Sequence, residues 1–145
     1  MPTETQPLVF RKGVLVEPSS HDGQLKGIIW SNRHGGDSTR DLTIRWSDLD
    51  NASFEVTLPE IVAMRFTDLM EGNIIFEFEA KKAEELADVE LGFLCGYGGP
   101  PEPSTLPSYR TKFEGATAFL LSSSYGCEGI AIAKSAPSEW ICKKV

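Results

Sequence analysis

The chain has 145 residues, 41% of them hydrophobic and 24% charged, with 14 Lys and Arg against 21 Asp and Glu for a formal net charge of −7. That composition argues against a disordered chain and fits one globular domain whose core needs neither metal nor disulfide. The acidic balance speaks against a nucleic-acid binder, which needs a basic face, and against docking on anionic membranes.

Residues 1–7 read as a flexible polar tail without the basic and apolar regions of a signal peptide, and residues 8–145 as a single globular domain. Leu8 to Val16 predicts a strand or strand pair interrupted by Arg11-Lys12-Gly13. Pro18 to Gly23 is a turn, and Leu25 to Trp30 is strand-like. Leu42, Ile44 and Trp46 then alternate with polar residues, as do Phe54, Val56 and Leu58. The turn formers Asp48 to Ala52 lie between them, so a hairpin with one apolar face is expected. Its outer face brings Arg45 near Glu55 or Thr57.

Pro59 is expected to close that strand and Ile61 to Thr67 to begin another. Ile74, Phe76 and Phe78 are expected to point inward, opposite Glu77 and Glu79. From Ala80 the apolar period becomes helical, which predicts a helix over about residues 80–91. Pro100, Pro101, Pro103 and Pro107 make Gly96 to Pro107 a long irregular loop. Ala116 to Ser122 and Ile130 to Lys134 predict a closing hairpin, and Glu139 to Lys143 one further strand. The expected class is α+β and mainly β: a twisted antiparallel sheet, sandwich or partly open barrel with one helix.

Cys95, Cys127 and Cys142 are odd in number and match neither a disulfide framework nor a zinc pattern, so they read as thiols of a reducing cytosol. No apolar run approaches the ~20 residues of a membrane helix. A soluble cytoplasmic protein is expected, with no cofactor and no metal.

The charge becomes informative once it is located. Residues 48–90 carry three basic and twelve acidic residues, a net of −9, while the segments before and after each carry +1. Alternation sets Glu55, Glu77 and Glu79 on solvated strand faces. Asp48 and Asp50 fall in the turn, and Glu84, Glu85 and Asp88 on the polar side of the helix. Such a concentration suits either a solvated surface that discourages association or a docking face for a basic protein, because a local negative field steers a positive partner and repels wrong ones. Asp48-Leu49-Asp50-Asn51 lacks the later Gly and Glu of an EF-hand loop.

Among groups that can carry chemistry, His21-Asp22 and His34 stand out. A histidine oriented by a carboxylate can act as a general base, and two histidines can share a metal, but neither spacing is specific. No Gly-x-Ser-x-Gly elbow surrounds Ser122-Ser123-Ser124, and Gly96-Tyr97-Gly98-Gly99 leads into prolines instead of a phosphate-binding helix.

Three stretches, His21-Asp22-Gly23-Gln24-Leu25-Lys26-Gly27-Ile28, Glu71-Gly72-Asn73-Ile74-Ile75 and Ser123-Ser124-Tyr125-Gly126, resemble a pattern in small bacterial proteins. Some of these are grouped with the immunity proteins of polymorphic or contact-dependent toxin systems. The resemblance spans roughly residues 21–134, and the proline-rich loop departs from it. It implies a largely β cytoplasmic protein that neutralises a cognate toxin without catalysis. Combined with the charge, it points to an immunity-type protein binding a basic toxin through an acidic face. Two alternatives stay open: a small hydrolase or metal-dependent enzyme using His21, Asp22 and His34, and a structural adaptor or homodimeric interaction domain.

Overall fold

In a computed structural model, which describes residues 4–32, 40–69 and 72–145, the hairpin read from alternation forms the wall of a barrel. Strands β5 (Arg40–Ser47) and β6 (Ser53–Thr67) pair antiparallel, with Leu42 opposite Leu58, Ile44 opposite Val56 and Trp46 opposite Phe54. All six side chains are buried. Arg45 lies opposite Glu55 on the outer face, as expected, and donates to it at 2.9 Å. Asp48 shapes the turn by accepting from the N–H groups of Asp50 and Ala52, both at 2.9 Å.

Pro59 does not end β6. The strand continues to Thr67 through a corner at which Glu60 takes a φ of 61° and the register shifts against both neighbours. Lost ladder bonding there is replaced from outside: Ser135 Oγ donates to the Pro59 carbonyl at 2.6 Å, and the Lys134 N–H to that of Glu60 at 2.9 Å. The bend lets one strand serve two partners on one edge, β10 (Ile141–Lys144) before the corner and β9 (Glu128–Ala133) after it.

The mainly β architecture expected from the sequence is present as a closed six-stranded antiparallel barrel with extra strands and two helices. Around the barrel the order is β4 (Gln24–Asn32), β5, β6, β9, β8 (Thr117–Tyr125) and β7 (Ile74–Lys82), which returns to β4 through Gln24 and Ile74. The pair β2 (Val9–Arg11) and β3 (Val14–Glu17) extends the sheet from β7, joined by Lys12 and Gly13, both at positive φ. At the other extreme, Glu4–Gln6 form β1 against β10, so part of the segment read as a loose tail is a strand.

Strands β8 and β9 are apolar on both faces. Phe119, Leu121, Ala131 and Ala133 join the barrel interior, while Ala118, Leu120, Ile130 and Ile132 join a second cluster with Leu86, Leu91, Leu94 and Phe113. Each large side chain buried there contributes roughly 1.5–3 kcal/mol. The covering elements are α1 (Asp88–Leu94) and α2 (Leu106–Lys112).

Helix α1 therefore begins later than the helix expected over 80–91. Ala80, Lys81 and Lys82 remain in β7, paired with Phe119, Ala118 and Thr117, and Ala83–Glu85 form one 3₁₀ turn. Ladder pairing and burial of Ala83 outweigh the helical propensity of this Ala/Lys/Glu-rich stretch. Helix α2 starts at the end of the segment expected to be an irregular loop. Pro107 fits its first turn, where no intrahelical N–H is required.

The largest departure lies at the start of β7. The register shifts twice against β8, once with Ser124 extra and once with Phe76 extra. These bulges break the expected alternation: Ile75 and Phe78 are buried at 1% and 0%, whereas Ile74 and Phe76 are 37% and 46% exposed.

Candidate functional site

Strands β6 and β7 stand three places apart in either direction around the six-stranded barrel. Glu55 on the outer face of β6 and Glu77 and Glu79 on the outer face of β7 therefore point away from each other. The eight candidate carboxylates do not share one face; the acidic segment wraps around the barrel.

On the β5–β6 side the acids are largely used internally. Asp48 holds its own turn, and Glu55 is bound by Arg45 with Lys143 of β10 in register beside it. Only Asp50 there projects an exposed carboxylate without a partner among the described residues.

The β7 side is different. Glu77 pairs in register with Ser122, and Glu79 with Leu120, whose other neighbour is Ile130 of β9. Outward side chains of β7, β8 and β9 thus make one surface, and α1 lies across part of it. Where α1 ends its cover, a groove of about 310 Å³ opens, lined by Glu79, Val89, Glu90, Phe93, Leu120, Ser122, Glu128 and Ile130. A second groove, of about 540 Å³, shares Val89, Phe93 and Glu128 and adds Arg65, Thr67, Asp68, Tyr97 and Gly98. Val89 is 57% exposed on the shared rim.

The cations in this region are already committed. Lys81 lies 2.8 Å from Glu90 and 3.8 Å from Glu79, while Glu90 also accepts the Ala87 N–H at the start of α1. Arg65 donates to the Phe93 carbonyl at 2.7 Å, and its guanidinium carbon is 4.7 Å from the Phe93 ring centre. Among the described residues, Glu77 and Glu128 have no hydrogen-bonding or ion-pair partner for their carboxylates. They remain uncompensated on the strand face.

The other candidates on this side brace the helices. Asp88 accepts from Arg110 at 2.6 Å, and the same guanidinium reaches the Leu86 carbonyl at 2.7 Å, tying α2 to the start of α1. The Gly115 N–H donates to Glu84 and, with Glu84's own backbone, holds that carboxyl below the ordinary glutamate range. Glu85 is exposed.

Glu90 and Glu128 were absent from the sequence-derived set. Glu90 lies inside the acidic segment and was open to inclusion by charge alone. Glu128 lies far outside it and is brought in only by the pairing of β9 with β6 and β8.

The alternative catalytic group is only partly visible. His21 Nε2 is 3.5 Å from Asp22, but its Nδ1 is engaged at 2.7 Å by the Phe76 carbonyl. His34 lies outside the described residues. Among the described residues, no group of three or more His, Cys, Asp or Glu side chains is arranged to hold a metal ion, and no helix is long and apolar enough to cross a membrane. All three cysteines are free; burial pushes the Cys127 and Cys142 thiols up to about 11.

No protein-family model, curated protein or solved structure matches the chain.

Proposed function

We propose that this protein is a non-catalytic binding domain of the immunity type, which neutralises a basic toxin by docking it on the outer β7–β8–β9 face. The observation that carries the reading is the pair of uncompensated carboxylates: Glu128, which lines both grooves with Val89 and Phe93, and Glu77, in register with Ser122 of the first groove. Apolar lining gives a partner surface to desolvate, and the surrounding negative charge selects a positive one. Glu85, exposed on the turn that follows β7, adds to the acidic field, while Glu79, Glu84 and Asp88 are engaged by Lys81, the Gly115 N–H and Arg110. Asp48, Asp50 and Glu55 act from the far side of the barrel, outside the contact.

Co-expression with a basic toxin domain encoded by a neighbouring gene tests this reading. The wild-type protein restores growth, and the Glu77→Lys, Glu128→Lys variant does not. Rescue that survives the double reversal undiminished overturns it.

A further inference from the structure

We infer that Ile74, Phe76 and Tyr125 form the apolar anchor of this docking surface, and that the partner segment seated there presents apolar and cationic side chains on one face. The inference rests on the reading of the β7–β8–β9 face as the docking side.

Ile74 and Tyr125 stand opposite one another on β7 and β8, 37% and 53% exposed. Phe76, 46% exposed, is the extra residue of the adjoining bulge. In a regular strand Phe76 would share the inward face of Phe78, and the barrel would gain an aromatic ring. The two bulges instead turn these side chains to water, and bulges re-aim side chains at working surfaces. His21 reinforces the arrangement: it meets the Phe76 carbonyl at 2.7 Å and packs its ring edge-on against the Phe76 ring, with centres 5.5 Å apart.

Charge complementarity decides the occupant. Glu77 follows Phe76 directly, and Glu128 lies across β8 from it. A second copy of this chain, at a net charge of −7, would bring like carboxylates together around the patch. A cationic segment would neutralise them. Strand addition is obstructed at this point: β8 occupies one edge of β7, and on the other the Ser19–Gly23 turn binds Ile75 and the Phe76 carbonyl between the single pairs to β4 at Ile74 and to β3 at Glu79. Recognition therefore runs through side chains, the mode of an amphipathic helix laid on a groove. Buried apolar anchors carry most of the energy of such contacts, while rim charges govern encounter.

The test compares an amphipathic helical Leu–Lys peptide with an oligo-lysine of equal lysine count, each titrated by calorimetry at two salt concentrations. Wild-type protein should bind the Leu–Lys peptide about ten-fold more tightly or better, the scale expected from one apolar anchor. The Ile74→Ser, Phe76→Ser variant should lose that preference and keep the oligo-lysine affinity, with Tyr125→Ser as an independent substitution on β8. Equal affinity for both peptides, or a preference that survives these substitutions, overturns the anchor while leaving the acidic docking side standing. Binding of the peptides that does not change in Glu77→Lys, Glu128→Lys overturns both.

Discussion

His21 donates from Nδ1 to the carbonyl oxygen of Phe76 at 2.7 Å, across 55 residues of sequence. The bond ties the Ser19–Gly23 turn to a bulge of β7, and two backbone bonds support it: Asp22 N–H to Ile75 and Ile75 N–H to Gly23, both at 2.9 Å. In the catalytic reading His21 would be a base oriented by Asp22. Its observed task is to hold a backbone carbonyl and an exposed aromatic ring. His21→Ala should therefore cost about 1 kcal/mol or less in a urea titration, the scale of one exposed hydrogen bond. It should also weaken binding of an apolar–cationic peptide to the β7 patch. An unfolded variant, or one with unchanged peptide affinity, would contradict the role assigned to the bond.

Helix α1 is locked to the glycine-rich loop by the absence of a side chain. A Cβ added at Gly92 would stand 1.9 Å from the Gly99 carbonyl oxygen and 2.8 Å from its carbon. Both atoms are backbone, so neither can rotate aside. Gly92→Ala should destabilise the protein by about 1–3 kcal/mol, as overpacking against a fixed neighbour does. Gly98→Ala, where an added Cβ meets nothing within 4 Å, should change stability by less than about 0.5 kcal/mol. Equal urea midpoints for the two variants would refute the close approach.

Burial distinguishes the three thiols. Cys127 and Cys142 are 1% exposed, whereas Cys95 is half-buried. A disulfide reagent at pH 8 should modify Cys95 first in the native protein and all three thiols only in denaturant. The pH dependence follows from the raised values of about 11 against an ordinary 9.0. Between these values the unfolded chain has released thiol protons that the folded chain retains, so stability falls as pH rises from about 9. The Cys127→Ala, Cys142→Ala variant should show a shallower fall over that range. Identical slopes would remove the thiols as its cause.

Much of this structure was legible where its determinants are local. The β5–β6 hairpin follows from strict alternation on both strands, which brings Arg45 near Glu55 or Thr57, and the observed register selects Glu55. The start of β7 was misread because a bulge shifts side-chain direction without marking the sequence: Ile74, Phe76 and Phe78 alternate correctly on paper, yet only Phe78 is buried. Helix α1 was displaced because pairing with β8 is long-range, and it competes with a local propensity that reads as helix through Ala80. The acidic segment illustrates the same limit at the level of topology. Its twelve acids are contiguous in sequence, but β6 and β7 close opposite sides of a barrel. Contiguity in the chain became separation in space, while Glu128 joined Glu77 from 51 residues away.

The most direct measurement is the association rate of the protein with the basic toxin domain proposed as its partner, as a function of salt concentration. Glu77→Lys, Glu128→Lys and, separately, Asp50→Lys on the far side would be compared with wild type. The double reversal should slow association by about ten-fold or more at low salt and flatten the salt dependence, with Asp50→Lys close to wild type. Unchanged rate and salt slope in the double reversal, or an equal loss in Asp50→Lys, would contradict docking on the β7–β8–β9 face.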